Sequence, residues 1–253
     1  MGQKVMLQDI YTIWLREMLK FVRARSRILS SLAMPFIWLF ILGFGFSSSI
    51  TIPGLPYIGF LAPGIIGMII LFTSIFSGIS IIYDRQFGFL KEILVAPVSR
   101  SSIVIGKTLG GATIATANGL VVLGISSLFG FIDVGIGTIL AIPFMIMIAI
   151  SFVAMGLIIA SRMKNMEGFQ MIMSFLVMPI FLLSGALFPL KDVPDVMKMI
   201  SYFDPLSYGI DGIRGSLVGI TNVDLITDFI VLLGISIGMI SLGTLMFKKS
   251  TQS

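Results

Sequence analysis

Long apolar runs separated by short polar breaks dominate this chain, and their lengths predict helices rather than strands. Six runs are long enough to cross a hydrocarbon core of about 30 Å, which takes roughly 20 helical residues. They fall near residues 29–50, 59–82, 109–131, 136–160, 169–188 and 229–247. Pro53 and Pro56 enforce a turn between the first two runs. The polar break Ser161-Arg162-Met163-Lys164-Asn165 separates the fourth from the fifth. The pattern predicts one all-α integral membrane domain over residues 1–253, with six transmembrane helices.

Three segments outside the runs carry patterns of their own. In residues 1–28, Leu7, Ile10, Trp14, Met18 and Phe21 recur at helical spacing, and Asp9, Thr12, Arg16, Lys20 and Arg23 recur on the opposing side. This predicts an amphipathic helix lying in the membrane interface, anchored by Trp14, Arg16, Lys20 and Arg23. In the loop 83–102, residues 87–95 can form a short amphipathic helix, closed by Pro97. Two readings stand there: a helix resting on lipid, or a docking element whose apolar anchors enter another protein's groove. The segment 189–228 holds Pro189, Pro194 and Pro205, then an apolar helical stretch from Tyr208 to Val218. It predicts a re-entrant or interfacial helix pair. Asp211 and Arg214, three apart, are placed to pair on one face. Asp204, Tyr208, Asp211 and Arg214 are candidates for an external gate, against a purely structural role.

Composition supports lipid as the solvent. Of 253 residues 57% are hydrophobic and 11% charged, against about 25% charged in an ordinary soluble domain. A mean hydropathy of +1.07 leaves more apolar surface than such a domain can bury. Cysteine and histidine are absent. That removes disulfides, thiolate metal sites, cysteine nucleophiles and the commonest general base.

Charge then predicts orientation. With both termini and the loops after runs two and four on one side, that side holds 14 of the 17 basic residues. The formal charges become +9 there and −4 opposite, matching the total of +5. Basic loops face the cytoplasm, so both termini are expected inside the cell membrane. The basicity needs no nucleic acid as partner; the membrane lipids account for it. The first run is expected to be a retained span rather than a cleaved leader, since 28 residues precede it.

As drawn, the six runs contain no Asp, Glu, Lys or Arg. Ion-coupled carriers keep ionisable groups near the midplane, so the energy for any transport is expected from elsewhere, against the alternative of sodium held by backbone carbonyls at broken helices. Thr73, Ser77, Thr113, Thr116 and Asn118 are candidates for a substrate path, against the alternative of helix–helix hydrogen bonding. The rows Gly106/Gly110 and Gly234/Gly238 read as close helix contacts, a dimer seam among the options. The seventeen methionines read as an adaptable cavity lining or as lipid-facing filler. Gly106-Lys107-Thr108 falls short of a phosphate-binding loop, because Ser101 stands where its first glycine belongs. No ATP site, metal cluster or catalytic carboxylate pair is expected in this chain, which is read as no enzyme by itself.

The run Arg85-Gln86-Phe87-Gly88-Phe89-Leu90-Lys91-Glu92-Ile93-Leu94-Val95-Ala96-Pro97-Val98-Ser99-Arg100, followed by Gly106-Lys107, resembles the signature of type-2 ABC exporter permeases. More narrowly it is similar to their daunorubicin-resistance and nodulation-type branch. Leu61-Ala62-Pro63-Gly64, Asp204-Pro205-Leu206-Ser207-Tyr208 and Asp211-Gly212-Ile213-Arg214 agree in the same order along the chain. The resemblance implies the type-2 ABC exporter permease fold, with an N-terminal interfacial helix and a cytoplasmic coupling helix. That helix takes in Phe87, Gly88, Phe89, Leu90, Lys91, Glu92, Ile93 and Leu94, with Pro97 closing it. It further implies two permeases, identical or paralogous, working with two separate ATP-binding subunits that carry the ATP and its magnesium. Spans without charge favour a hydrophobic or amphipathic cargo, a drug or lipid, and the family outline leaves polysaccharide or lipo-oligosaccharide as the alternative. A channel or scaffold without an ATPase is the reading from another class. Many members carry acids where Gln86 and Lys91 stand, so no specific salt bridge carries over.

Overall fold

A computed structural model describes residues 2–50, 52–87, 98–163 and 165–250. Helices α1 (Gly2–Arg23), α2 (Arg25–Gly45), α3 (Tyr57–Ser77) and α4 (Ile79–Gln86) come first. Then follow α5 (Arg100–Leu128), α6 (Ile136–Arg162), α7 (Met166–Leu183), α8 (Asp195–Ser201), α9 (Pro205–Val218) and α10 (Leu225–Ser250). Among the described residues the only β pairing is an isolated bridge between Ile52 and Leu55 in the Pro53–Pro56 turn. The expected all-α membrane architecture is what forms.

Among the described residues five stretches are long and apolar enough to cross a membrane: Tyr57–Gln86, Arg100–Leu128, Ile136–Arg162, Met166–Leu183 and Leu225–Met246. The first expected span comes out shorter. It ends five residues early, because α2 stops at Gly45 and the polar Ser47–Ser49 stretch turns away. The third span starts nine residues earlier than expected. Ser99 caps it, its hydroxyl accepting from Ser102 N at 3.0 Å, which carries Lys107 inside a buried helix.

Two glycines set the centre of the bundle. α3 packs against α5 and α6, and at Gly78 and Gly156 the backbones touch. A Cβ on Gly156 would sit 2.6 Å from Ile75 O, so only glycine allows the approach. The core around this crossing includes Leu61, Ile65, Ile66, Ile70, Phe152, Val153 and Phe181, all nearly inaccessible. α7 contains one π-helical turn, Met173–Val177, immediately before Pro179, whose missing N–H frees a carbonyl there.

The expected helix pair after α7 is present as α8 and α9. α9 is no surface element. Leu206, Ile210 and Ile213 are fully buried, and it packs between α3, α6 and α10. Asp204 caps it by accepting from Leu206 N at 2.9 Å, and Gly219, at φ 73°, ends it in the left-handed region.

Candidate functional site

Arg16, Glu17 and Lys20 of α1 meet charges on other helices of the bundle. α1 rests along α5, where Gly106 and Gly110 leave room for it. A Cβ at Gly106 would come within 2.8 Å of Ile13, and one at Gly110 within 2.9 Å of Glu17. The Gly106/Gly110 row therefore seats a helix of the same chain. Trp14 donates from Nε1 to Thr113 Oγ1 at 3.1 Å. Of the four expected anchors Lys20 and Arg23 are exposed, and Trp14 and Arg16 are half-buried. The opposite row, Gly234/Gly238, has no atom near enough to meet an added Cβ among the described residues.

Arg16 and Lys20 turn toward Asp84 at the end of α4. Arg16 Nη2 and Lys20 Nζ reach Asp84 Oδ1 at 3.0 and 3.3 Å. Lys107 Nζ reaches Oδ2 at 2.7 Å, Ser80 Oγ at 2.9 Å and Glu17 Oε1 at 3.3 Å. Its three donors are thus all used. The side chains of Lys107 and Asp84 are 1% and 3% exposed. A charge so buried is tolerable only when paired and hydrogen-bonded, and both conditions hold. Sequence reasoning missed this cluster because Asp84 and Lys107 fall just outside the apolar runs. The only signal was opposite charge at two helix ends joined by one loop.

Next to the cluster opens a cavity of about 920 Å³ between α1, α2, α3, α4, α5 and α7. Arg16, Glu17, Lys20 and Asp84 line its charged end. Trp38, Phe72, Phe76, Met68, Met178 and Phe181 give it apolar walls. Thr73, Ser77 and Asn118 form a polar band between, with Asn118 Nδ2 donating to Thr73 Oγ1 at 3.3 Å. Of the five residues singled out for a path, these three line the cavity. Thr113 serves the α1–α5 contact and donates to Leu109 O, and Thr116 is buried away from the cavity. An amphipathic molecule matches such a lining, since its ends ask for different surroundings.

Phe87 closes α4, stacks on Tyr83 at 6.1 Å and reaches the same cavity. The rest of the expected coupling helix, Gly88, Phe89, Leu90, Lys91, Glu92, Ile93, Leu94 and Pro97, lies outside the described residues. The segment's root is fixed: Arg85 donates to Ser161 O and Met163 O, each at 2.9 Å, closing the C-terminus of α6.

The expected pair Asp211–Arg214 does not form. Asp211 accepts from Asn222 N, Asn222 Nδ2 and Val223 N, capping the turn before α10. Arg214 is buried, donates to Gly185 O at 2.9 Å and to Phe60 O at 3.3 Å, and lies 3.7 Å from the Phe60 ring centroid. Each has partners that satisfy more of its hydrogen-bonding capacity than the other would, so the three-residue spacing misleads. Tyr208 donates to Tyr202 O at 2.8 Å. Burial pushes the Asp204 carboxyl up to about 7, although Leu206 N and Ser207 hydrogen-bond its charged form.

A family model described as ABC-2 type transporter matches residues 8–218 of this chain. The chain is 28% identical over 217 residues to Nodulation protein J of Rhizobium leguminosarum bv. viciae, covering 83% of each. It is 27% identical over 211 residues to Nodulation protein J of Rhizobium meliloti (strain 1021), covering 82% of this chain and 80% of that one. It is also 28% identical over 180 residues to the Inner membrane transport permease YadH of Escherichia coli (strain K12), covering 71% of this chain and 70% of that protein.

Proposed function

The chain belongs to the ABC-2 type transporter family, and on that premise we propose that it is the membrane-spanning subunit of an ATP-driven exporter of hydrophobic or amphipathic molecules. Members of the family normally work with an ATP-binding subunit. Here two such subunits, carrying ATP and magnesium, each grip residues 87–95 of one permease in a pair of identical or paralogous copies. Both termini face the cytoplasm in this reading. The ATP-driven movement changes the affinity of the cavity for cargo between its two states, without which nothing is pumped.

The cavity of about 920 Å³, apolar along its walls and charged at one end, is the observation that carries this reading. A drug- or lipid-like molecule with one polar end suits it. Trp38, Phe72, Phe76 and Phe181 on its walls favour a second cargo, a lipo-oligosaccharide whose sugar faces stack on rings while its acyl chain takes the greasy end.

The test is affinity recovery of the full chain from native membranes in mild detergent, with co-purifying proteins identified and counted. A soluble ATP-binding protein at one copy per permease, lost from the Phe89→Asp/Leu90→Asp double variant, is expected. Recovery of the folded chain without an ATPase across several detergents sinks the exporter reading and leaves a channel or scaffold.

A further inference from the structure

At the end of the bundle away from the α1–Asp84 cluster lies a second, smaller cavity of about 290 Å³, lined by parts of α8, α9, the turn after α9 and the first turn of α10. One of its lining residues is Asp228, which is fully buried. Neither of its carboxylate oxygens has a hydrogen-bond partner among the described residues. A buried carboxylate costs several kcal/mol unless a donor or cation meets it, so this position asks for something that enters the cavity. The second acid on the wall, Asp211, is already taken up by the amides of Asn222 and Val223. Only Asp228 is left to receive a ligand.

The rest of the lining narrows the ligand's chemistry. Among the described residues no three acids gather to hold a metal ion, and calcium wants six to eight oxygens. Lys191 and Lys198 also line the cavity and repel a bare inorganic cation while welcoming an anionic group. Tyr202 and Tyr208 add ring surface suited to an alkylammonium. α8, which gives Lys198 and Ser201 to the cavity, and the residues after it expose Val196, Met199, Tyr202 and Phe203, each more than 60% accessible. An apolar rim with an exposed tyrosine belongs at the membrane interface, where headgroups lie.

We propose that this cavity binds a zwitterion, specifically the headgroup of an aminophospholipid, with its primary ammonium on Asp228 and its phosphate toward Lys191 and Lys198. The site is distinct from the cargo cavity and independent of the export reading. A primary ammonium offers three N–H donors to the orphaned carboxylate, whereas a choline headgroup offers none. A glycerol headgroup brings phosphate without the cation. Selectivity among the three is therefore the signature.

The full chain in lipid nanodiscs holding equal parts of phosphatidylethanolamine, phosphatidylcholine and phosphatidylglycerol is released for native mass spectrometry, and bound lipids are counted. Phosphatidylethanolamine is expected to be retained at least fivefold over either competitor, with the preference gone in Asp228→Asn. Added phosphorylethanolamine separates the sources. Displacement marks a site open to free zwitterions, and resistance marks one entered only from the bilayer. Equal retention of the three lipids by the natural chain, as expected if Lys191 or Lys198 simply swings onto Asp228, overturns the proposal. So does an Asp228→Asn variant with an unchanged preference. Should that variant not fold, the Lys191→Gln/Lys198→Gln double variant decides. It must lose the retained phosphatidylethanolamine, and unchanged retention rejects the assignment.

Discussion

Lys107 and Asp84 meet at 2.7 Å across two helices with almost no solvent between them and the core. Breaking a fully buried pair typically costs about 3–5 kcal/mol, and because Asp84 keeps Arg16 and Lys20 at 3.0 and 3.3 Å the loss of Lys107 falls at the low end of that range. Lys107→Met is therefore expected to lower thermal stability in detergent by that order, with little rescue or worsening by salt, since buried pairs are weakly screened. Adding Asp84→Asn should recover part of the loss, because the buried carboxylate that lost its shortest partner is then gone while Arg16 and Lys20 remain partly exposed. A double variant as unstable as the single one refutes the pairing as the source of the cost.

At the α3–α6 crossing, Gly156→Ala places a methyl carbon 2.6 Å from Ile75 O and 3.0 Å from Ile75 Cα. Backbone atoms cannot swing aside as side-chain tips do, so overpacking of about 1–3 kcal/mol is expected. Gly243→Ala is the matched control, its nearest neighbour being at 3.6 Å. There the gain of helix propensity, about 0.5–1 kcal/mol, is expected instead. Thermal unfolding of the two variants side by side should move in opposite directions.

Asp204 gives a pH dependence whose sign is fixed by its raised value of about 7. The unfolded chain titrates this group near 3.9. Between roughly pH 4 and 7 the folded protein keeps a proton the unfolded chain has lost, so stability falls as pH rises through that window and levels off above it. Asp204→Asn is expected to flatten that part of the stability curve. It keeps a side-chain oxygen able to cap Leu206 N. An unaltered slope in the variant rejects Asp204 as its origin.

Within the large cavity, Thr73→Trp puts a bulky ring where the polar band now lies. Export of a fluorescent amphiphile by proteoliposomes containing the permease and its ATPase should fall at least tenfold, while yield and ATPase binding stay unchanged. Undiminished transport separates this cavity from the cargo route.

Helix existence was readable because apolar runs of membrane length admit few alternatives. Pro53 and Pro56 marked their turn, and Asp204-Pro205 marked the start of α9. What the linear pattern did not reveal was which neighbour each polar group would choose. Asp211 and Arg214 stand one helical turn apart, yet one is claimed by the amides of Asn222 and Val223 and the other by carbonyls at the end of α7. Arg16 and Lys20 looked like snorkelling cations, but Asp84 offers them a fixed negative charge. Gly106 and Gly110 announced a close contact without saying that α1 fills it. These choices depend on distances between segments far apart in sequence, which periodicity does not encode.

The backbone contact of Gly78 with Gly156 sits where α3 ends and α4 begins. Bare backbones pressed together pin that junction, and the end of α4 stands only about 12 Å beyond it at 1.5 Å per residue. Asp84 and Arg85 on that short helix are tied in turn to α1, α5 and α6. The loop after α4 therefore springs from a post braced on four sides, so its root moves only if the centre of the bundle moves with it.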